Sequence, residues 1–393
     1  MYLYSQRLPW QFSTNSLSRL VQEKKRAGFS IIDLTISNPT EVLSDYPHAA
    51  IGRAYAGIED FKYRPDARGQ DSARAAIAEY YRSRGSAISP EQILLTASTS
   101  EAYALLFKLF CNPEDEVLAP APSYPLFEFL AGLESVRTVP YRLQYDGAWF
   151  IDFNHLKQRI SERTRAIVVV NPNNPTGSFL KEWEVEKLIA LAREHELPIV
   201  SDEVFMEYGF GNAGERVPTL VERDTVLSFS LNGLSKTAGM PQMKLGWIAI
   251  NGPAKDREIA HDRLELLLDT YLSVAGPVQA ALPELLDIGM KIQREIAERA
   301  TQNLDTLRQI LSHSPAQPLH TEGGWSAIVQ LPNTFSGEVW ATRILNEQNV
   351  IVQPGYFFDF ASEAYVVLSL IAPAEDFAEG IRRLRDEVLT YTL

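Results

Sequence analysis

Ala166-Ile167-Val168-Val169-Val170 followed by Asn171-Pro172-Asn173-Asn174-Pro175-Thr176-Gly177 is an unbroken aliphatic run that stops in a cluster of turn formers. A short, continuous, β-branched run suits a strand buried on both faces, as in a parallel sheet. Asn, Pro and Gly end it sharply, at the strand's carboxyl end, where open α/β sheets hold their ligands. The same design recurs on either side. Strands are expected at Ile93–Leu95, Glu116–Pro120, Pro198–Ser201, Thr225–Leu231 and Lys244–Ile250. Helical stripes separate them: Ala102, Leu105, Leu106 and Leu109 in one segment, and Val185, Leu188, Ile189 and Ala192 within Lys181–Glu196 in another. Strands alternating with helices predict an α/β fold with a mostly parallel sheet covered on both faces.

Beyond Asn251 the pattern changes. Asp256–Leu272 and Val278–Ser312 read as long helices, with Pro283 expected to interrupt the second near its start. Short strands (Ser326–Leu331, Val350–Val352, Tyr365–Leu370) then mix with helices (Gly337–Glu347, Ala374–Tyr391), which describes a smaller α+β unit. The expected division is a large α/β domain over 46–287, and a small α+β domain made of 1–45, the N-terminal arm, with 288–393. A length of 393 residues agrees with two domains.

Acidic residues outnumber basic ones, 50 to 37, for a net charge of −13. Such a chain repels a phosphate backbone, so no nucleic-acid or anionic-membrane partner is expected. No apolar run approaches the ~18–20 residues that span a bilayer, and Met1–Trp10 lacks the apolar core of a signal peptide. A single cysteine, Cys111, cannot form an intrachain disulfide. A cytoplasmic location is the expectation.

Several motifs are set aside. Gly209-Phe210-Gly211-Asn212-Ala213-Gly214 matches a dinucleotide-binding fingerprint, but Glu215-Arg216-Val217-Pro218 follows where a helix must open. Ser178-Phe179-Leu180-Lys181 matches an acyl-enzyme motif without its companion motifs. The histidines are scattered, so no metal site is expected, and Cys111 ends an apolar helix face as a core residue would.

Four features carry chemistry. Thr96-Ala97-Ser98-Thr99-Ser100-Glu101 places small hydroxyl residues between a strand and a helix, either ordinary caps or an anion site. The turn at 171–177 is the second. Ser201-Asp202-Glu203-Val204 puts acids at another strand end, as caps or as a buried charge with a partner. Ser235-Lys236 follows the strand Thr225–Leu231, a surface lysine unless something desolvates it.

Together with Ala97–Ala102, Pro122-Ser123-Tyr124-Pro125, Asn173–Gly177, Ser201–Phe205 and Leu234-Ser235-Lys236, these features resemble the class I/II aminotransferase family of fold-type I pyridoxal phosphate (PLP) enzymes. The resemblance runs from Leu34–Pro39 through Tyr63-Arg64-Pro65 and Gly69 to Pro354–Phe358. It implies pyridoxal 5'-phosphate as cofactor, amino acid and 2-oxo acid as substrates, and a homodimer. It implies that Lys236 holds the cofactor as a Schiff base and moves the substrate proton, and that Asp202 keeps the ring nitrogen protonated. Asn174 matches the residue bonded to the ring O3′ and near the substrate, and Tyr124 the aromatic stacked on the ring. Ser98, Thr99 and Ser100, with Ser235 and Lys244, match the phosphate site. Tyr63 matches the tyrosine that reaches the partner subunit's phosphate.

The chain departs from the family in several places. Eight residues after Lys236, an arginine is usual and Lys244 stands instead, which keeps the charge but not the bidentate fork. Gly233 replaces a common serine. Phe205 replaces a tyrosine that donates to O3′, which should raise the pKa of the Lys236 Schiff base. The slot of the substrate-carboxylate arginine holds Val367; Arg64 and Arg68 are candidate substitutes, and Ser37, where glycine is common beside Asn38-Pro39, alters contacts to the carboxylate. Three readings therefore stand: an aminotransferase, a PLP-dependent lyase acting by C–S or β-elimination, or a PLP-binding module without turnover.

Overall fold

A computed structural model describes residues 2–8, 15–360 and 364–391. Eight strands form the large sheet: β1 (Ile93–Thr96), β2 (Glu116–Ala121), β3 (Arg137–Tyr145), β4 (Trp149–Ile151), β5 (Thr164–Val170), β6 (Ile199–Asp202), β7 (Ser228–Gly233) and β8 (Gly246–Asn251). Their spatial order is β1-β8-β7-β6-β5-β2-β3-β4. The run from β7 to β3 is parallel. Strand β8 lies antiparallel to both neighbours, and β4 closes a hairpin on β3.

Along β5 the side chains divide strictly. Ala166, Val168 and Val170 join the cluster beneath the helix Thr99–Phe110, while Ile167 and Val169 join the one beneath Glu182–Glu194. That is the period-two alternation of a strand, with apolar residues on both sides because helices cover both sides. The α/β reading of the sequence holds for this reason.

The second sheet is antiparallel throughout, in the order Gln317–Pro318, Ser326–Gln330, Tyr365–Ser369, Gln353–Pro354. The N-terminal helix Ser16–Arg26 is tied to this region, where Lys24 Nζ donates to Asn349 Oδ1 at 2.7 Å. Ile32–Asp33 pairs in parallel with Val350–Ile351.

Two expectations are corrected. Pro283 does not interrupt its helix, which runs unbroken from Gly276 to Leu311. Lacking an N–H, Pro283 forfeits one helical bond near the helix start, and the continuous buried stripe Leu282, Leu285, Ile292, Ile296, Ala300 and Leu304 carries the helix on past it. Residue 287 lies inside this helix. Strands β7 and β8 also begin later than expected, at Ser228 and Gly246; for β8 the reason is Lys244 (φ 51°), whose left-handed conformation ends a turn before the strand starts. No helix among the described residues is long and apolar enough to cross a membrane.

Candidate active site

Register places the chemistry. Val170 at the end of β5 lies beside Asp202 at the end of β6, which in turn lies beside Leu231 of β7. The loops leaving these three carboxyl ends carry Asn174, Asp202 and Lys236. Gly177 turns the first loop at φ 68°, and a Cβ there would fall on the carbonyl of Gly323. Glycine is required twice over, by conformation and by space.

Asp202 is held from two sides. Its Oδ2 accepts from the Tyr103 hydroxyl at 3.0 Å, and its Oδ1 accepts from the Val204 N–H at 3.3 Å. Burial pushes the carboxyl up to about 6, against the opposing pull of those donors and of Lys236. Lys236 sits in the short helix Leu234–Thr237 that follows β7. Its carbonyl accepts from the Tyr208 hydroxyl at 2.6 Å. Its Nζ lies 4.9 Å from the ring centroid of Trp325 and 5.8 Å from that of Phe205. Burial draws the amine below the ordinary lysine value, and the Asp202 carboxylate works the other way. A buried amine with a depressed pKa and one carboxylate neighbour is the arrangement of a reactive lysine, not a solvated one.

The hydroxyl cluster lies across β8 from the loop that carries Lys236, since Gly246 pairs with Thr96 on one side and Gly233 on the other. Ser98 caps the helix Thr99–Phe110, its Oγ accepting from the Glu101 N–H at 3.2 Å. Thr99 and Ser100 occupy the first turn, half-buried. Strand β8 packs tightly against this cap: a Cβ on Gly246 would come within 3.1 Å of Ser98. Opposite it in β7, Gly233 faces Gly246, and a Cβ there would meet the Gly246 Cα and the Leu245 carbonyl at 2.9 Å. Glycine at 233 is therefore a packing requirement. Ser235 is half-buried and Lys244 exposed.

The remaining candidates separate. Asn174 Oδ1 accepts from the Ser326 hydroxyl at 3.1 Å, linking the strand-end loop to the second sheet. Tyr124 leaves 44% of its surface exposed, and burial together with the Asp202 charge raises its hydroxyl. Tyr63 is 79% exposed, at the mouth of a cavity of about 180 Å³ lined also by Phe61, Leu268 and Leu272. Ser37 is exposed. Val367 is 1% exposed and packs with Ile328, Leu319 and Phe358. The arginines considered as substitutes are engaged elsewhere: Arg64 with Asp60 at 2.5 Å, and Arg68 with Glu91 at 3.0 Å.

Four residues of the site have no signal in the turn motifs: Tyr103, Tyr208, Trp325 and Ser326. Only Tyr103 was within reach, one helical turn beyond Thr99 on the same helix. The motifs set aside are accounted for. Gly209–Gly214 lies outside any helix, and Lys181 pairs with Glu322 at 2.5 Å. Burial pushes the Cys111 thiol up to about 12, which disfavours the thiolate form at neutral pH.

An amine, an acid beside it, an exposed aromatic ring and a hydroxyl-bearing helix N-terminus are the groups that a phosphorylated aldehyde cofactor needs, and the donor set fits pyridoxal phosphate. The fold and site define an α/β enzyme of amino-group transfer. The comparisons agree: the model of the family "Aminotransferase class I and II" matches residues 31–381, and the chain belongs to that family, whose members depend on PLP. Glutamate-pyruvate aminotransferase AlaA of Escherichia coli (strain K12) is 31% identical over 271 residues, 68% of this chain and 67% of that protein. Arginine--pyruvate transaminase AruH of Pseudomonas aeruginosa is 29% identical, over 95% of this chain and 93% of its own. A solved alanine aminotransferase from Pyrococcus furiosus superposes with a TM-score of 0.89 at 24% identity, covering 99% of this chain and 100% of that one, which supports the fold.

Proposed function

We propose that this aminotransferase carries pyridoxal phosphate on Lys236 and moves an amino group from an amino acid to a 2-oxo acid. The observation that carries the reading is the buried amine of Lys236 beside Asp202, itself pinned by Tyr103. The cofactor, when bound, supplies a carbonyl that exchanges amines and a ring that disperses the electrons of a deprotonated carbon. Asp202 presents its carboxylate to the ring nitrogen and holds a proton there. Lys236, with its pKa lowered, is free as a neutral amine to take a proton from the substrate carbon and return it one atom away. Thr99, Ser100 and the helix N-terminus, with Ser98, Ser235 and Lys244, bind the phosphate. Tyr124 would cover one face of the ring, Asn174 would bond the ring oxygen, and Ser37 would contact the substrate.

The exposed apolar side chains Phe61, Tyr63 and Leu272, which line one cavity, support a homodimer in which Tyr63 completes the partner's phosphate site, since contiguous exposed apolar surface marks interfaces. The lone cysteine fits a reducing compartment such as the cytoplasm.

Borohydride reduction of the PLP-loaded protein, followed by peptide mapping, should label Lys236. A label elsewhere overturns the reading. Incubation with single amino acids and no acceptor should yield pyridoxamine phosphate and a 2-oxo acid; pyruvate with ammonia, and the cofactor unchanged, would establish elimination instead.

A further inference from the structure

Glu101 departs from the usual chemistry of a helix start. It is the third residue of the helix Thr99–Phe110, and its N–H donates to Oγ of the cap residue, Ser98. In a capping box, the acid at this position reaches back to the N–H of the cap residue itself. Glu101 reaches elsewhere. Its Oε2 accepts from the N–H of Ala97, one residue earlier, at 2.6 Å, and its Oε1 accepts from the Ser273 hydroxyl, 172 positions away. One carboxylate thus grips the turn that leads into Ser98, Thr99 and Ser100. It also ties that turn to the loop 272–275, which joins the helices Ala254–Tyr271 and Gly276–Leu311.

From Ser273 the connection continues. The carbonyl of Val274, the next residue, accepts from Gln279 Nε2 at 2.9 Å, and Gln279 Oε1 accepts from the Gln70 N–H at 2.7 Å. Two residues before Gln70, the Arg68 carbonyl accepts from the N–H of Leu95 at 2.9 Å. Leu95 belongs to β1, the strand that runs into Ala97. The bonds therefore close a ring that begins and ends at the hydroxyl-bearing turn. Gln70, Leu95, Ser273, Val274 and Gln279 all line the cavity of about 180 Å³ that Tyr63 borders. Gln279 is buried, so breaking either of its bonds would leave an enclosed polar group unpaired.

We propose that Glu101 is a positioning residue that couples the phosphate-binding turn Ser98–Ser100 to the Tyr63 cavity through Ser273. The grip on the cofactor phosphate then depends on the loop 272–275. This rests on the Lys236 reading and deepens it. Anchored at Ala97 and Ser98, the turn holds its hydroxyls and N–H groups in one arrangement before the phosphate arrives, and a turn ordered in advance binds more tightly. A turn released at Ala97 must be ordered by the phosphate itself. The aldehyde end of the cofactor, at Lys236, meets none of these bonds.

The test titrates the full chain, freed of cofactor, with PLP and with pyridoxal, which lacks the phosphate, and follows the absorbance of the bound aldehyde. Ser273→Ala, a small change on a half-buried loop residue, should weaken PLP about tenfold and pyridoxal by less than about twofold. Glu101→Ala should weaken PLP at least as much, and adding Ser273→Ala to it should bring little further loss. Glu101→Gln keeps an acceptor for the Ala97 N–H and offers its own N–H to Ser273 Oγ, so it should retain most of the affinity. Unchanged PLP affinity in Ser273→Ala, or equal losses for PLP and pyridoxal, overturns the coupling. Failure of the Lys236 reading would show differently, as parent protein that borohydride labels at Lys236 with neither PLP nor pyridoxal.

Discussion

The Tyr103 hydroxyl donates to Oδ2 of Asp202 across 3.0 Å, from the same helix whose first turn holds Thr99 and Ser100. One rigid element thus carries both the hydroxyls proposed to bind the phosphate and the partner of the acid proposed to face the ring. Thr99 and Tyr103 are separated by one turn, so a shift of this helix moves both ends of the cofactor site together.

Tyr103→Phe removes a hydrogen bond to a charged group, typically worth about 1.5–3 kcal/mol. The PLP dissociation constant should rise roughly tenfold in an absorbance titration, since 1.4 kcal/mol is a factor of ten. In an Asp202→Asn background the same change should have a much smaller effect, because the charge it supports is gone.

Gly233→Ser introduces a Cβ 2.9 Å from the Gly246 Cα and the Leu245 carbonyl, both backbone atoms that cannot swing away. Overpacking of this kind costs about 1–3 kcal/mol. Urea denaturation should show the loss as a lower midpoint with an unchanged slope. An unaltered midpoint would mean that β7 and β8 can separate at no cost.

Glu203 is fully enclosed, its carboxylate accepting from Thr219 Oγ1 at 2.6 Å, the Leu220 N–H at 2.8 Å and Ser230 Oγ at 3.0 Å. Burial still wins over these donors and lifts the group from the ordinary glutamate value to about 7. The folded state therefore holds this proton more tightly than the unfolded one. Its contribution is complete below the unfolded pKa and is lost as pH rises through about 7. Glu203→Gln, which cannot ionise, should remove up to roughly 3 kcal/mol of the stability difference between acidic and mildly alkaline buffer. Denaturant melts of both proteins at the two pH values measure it.

Phe205 is buried against Trp325, ring centroids 5.3 Å apart, with Lys236 Nζ 5.8 Å from the Phe205 ring. A Phe205→Tyr variant adds a donor that favours a deprotonated oxygen on the cofactor. The pH at which the bound cofactor changes its absorbance should be lower in the variant than in the parent. Coincident titration curves would show that residue 205 does not reach that oxygen.

Lys244→Arg restores a planar fork where only a point charge stands. Lys244 is held at φ 51°, so the replacement inherits a left-handed backbone and the gain depends on reach, not on new folding. PLP should bind several-fold more tightly, and the difference should shrink as salt is raised.

Much of the fold was legible because local chemistry and burial coincide along β5. Val168 and Val169 point to opposite faces yet both are apolar, which only a doubly covered strand permits. The strand-end motifs at 171–177, 201–204 and 234–236 were legible for a similar reason, since turn chemistry must interrupt each buried run where the chain leaves the sheet. The amino-acid sequence by itself thus determined the parallel layering and the strand ends beyond which Asn174, Asp202 and Lys236 stand. Only the tertiary structure decided what surrounds them. Tyr103 meets Asp202 across 99 positions of chain and Ser326 meets Asn174 across 152, and no local pattern encodes a contact of that separation. Val367 likewise reads as an ordinary strand residue; its place on one face with Ser326 and Ser369 follows from strand register, which is settled by packing against both sheets at once.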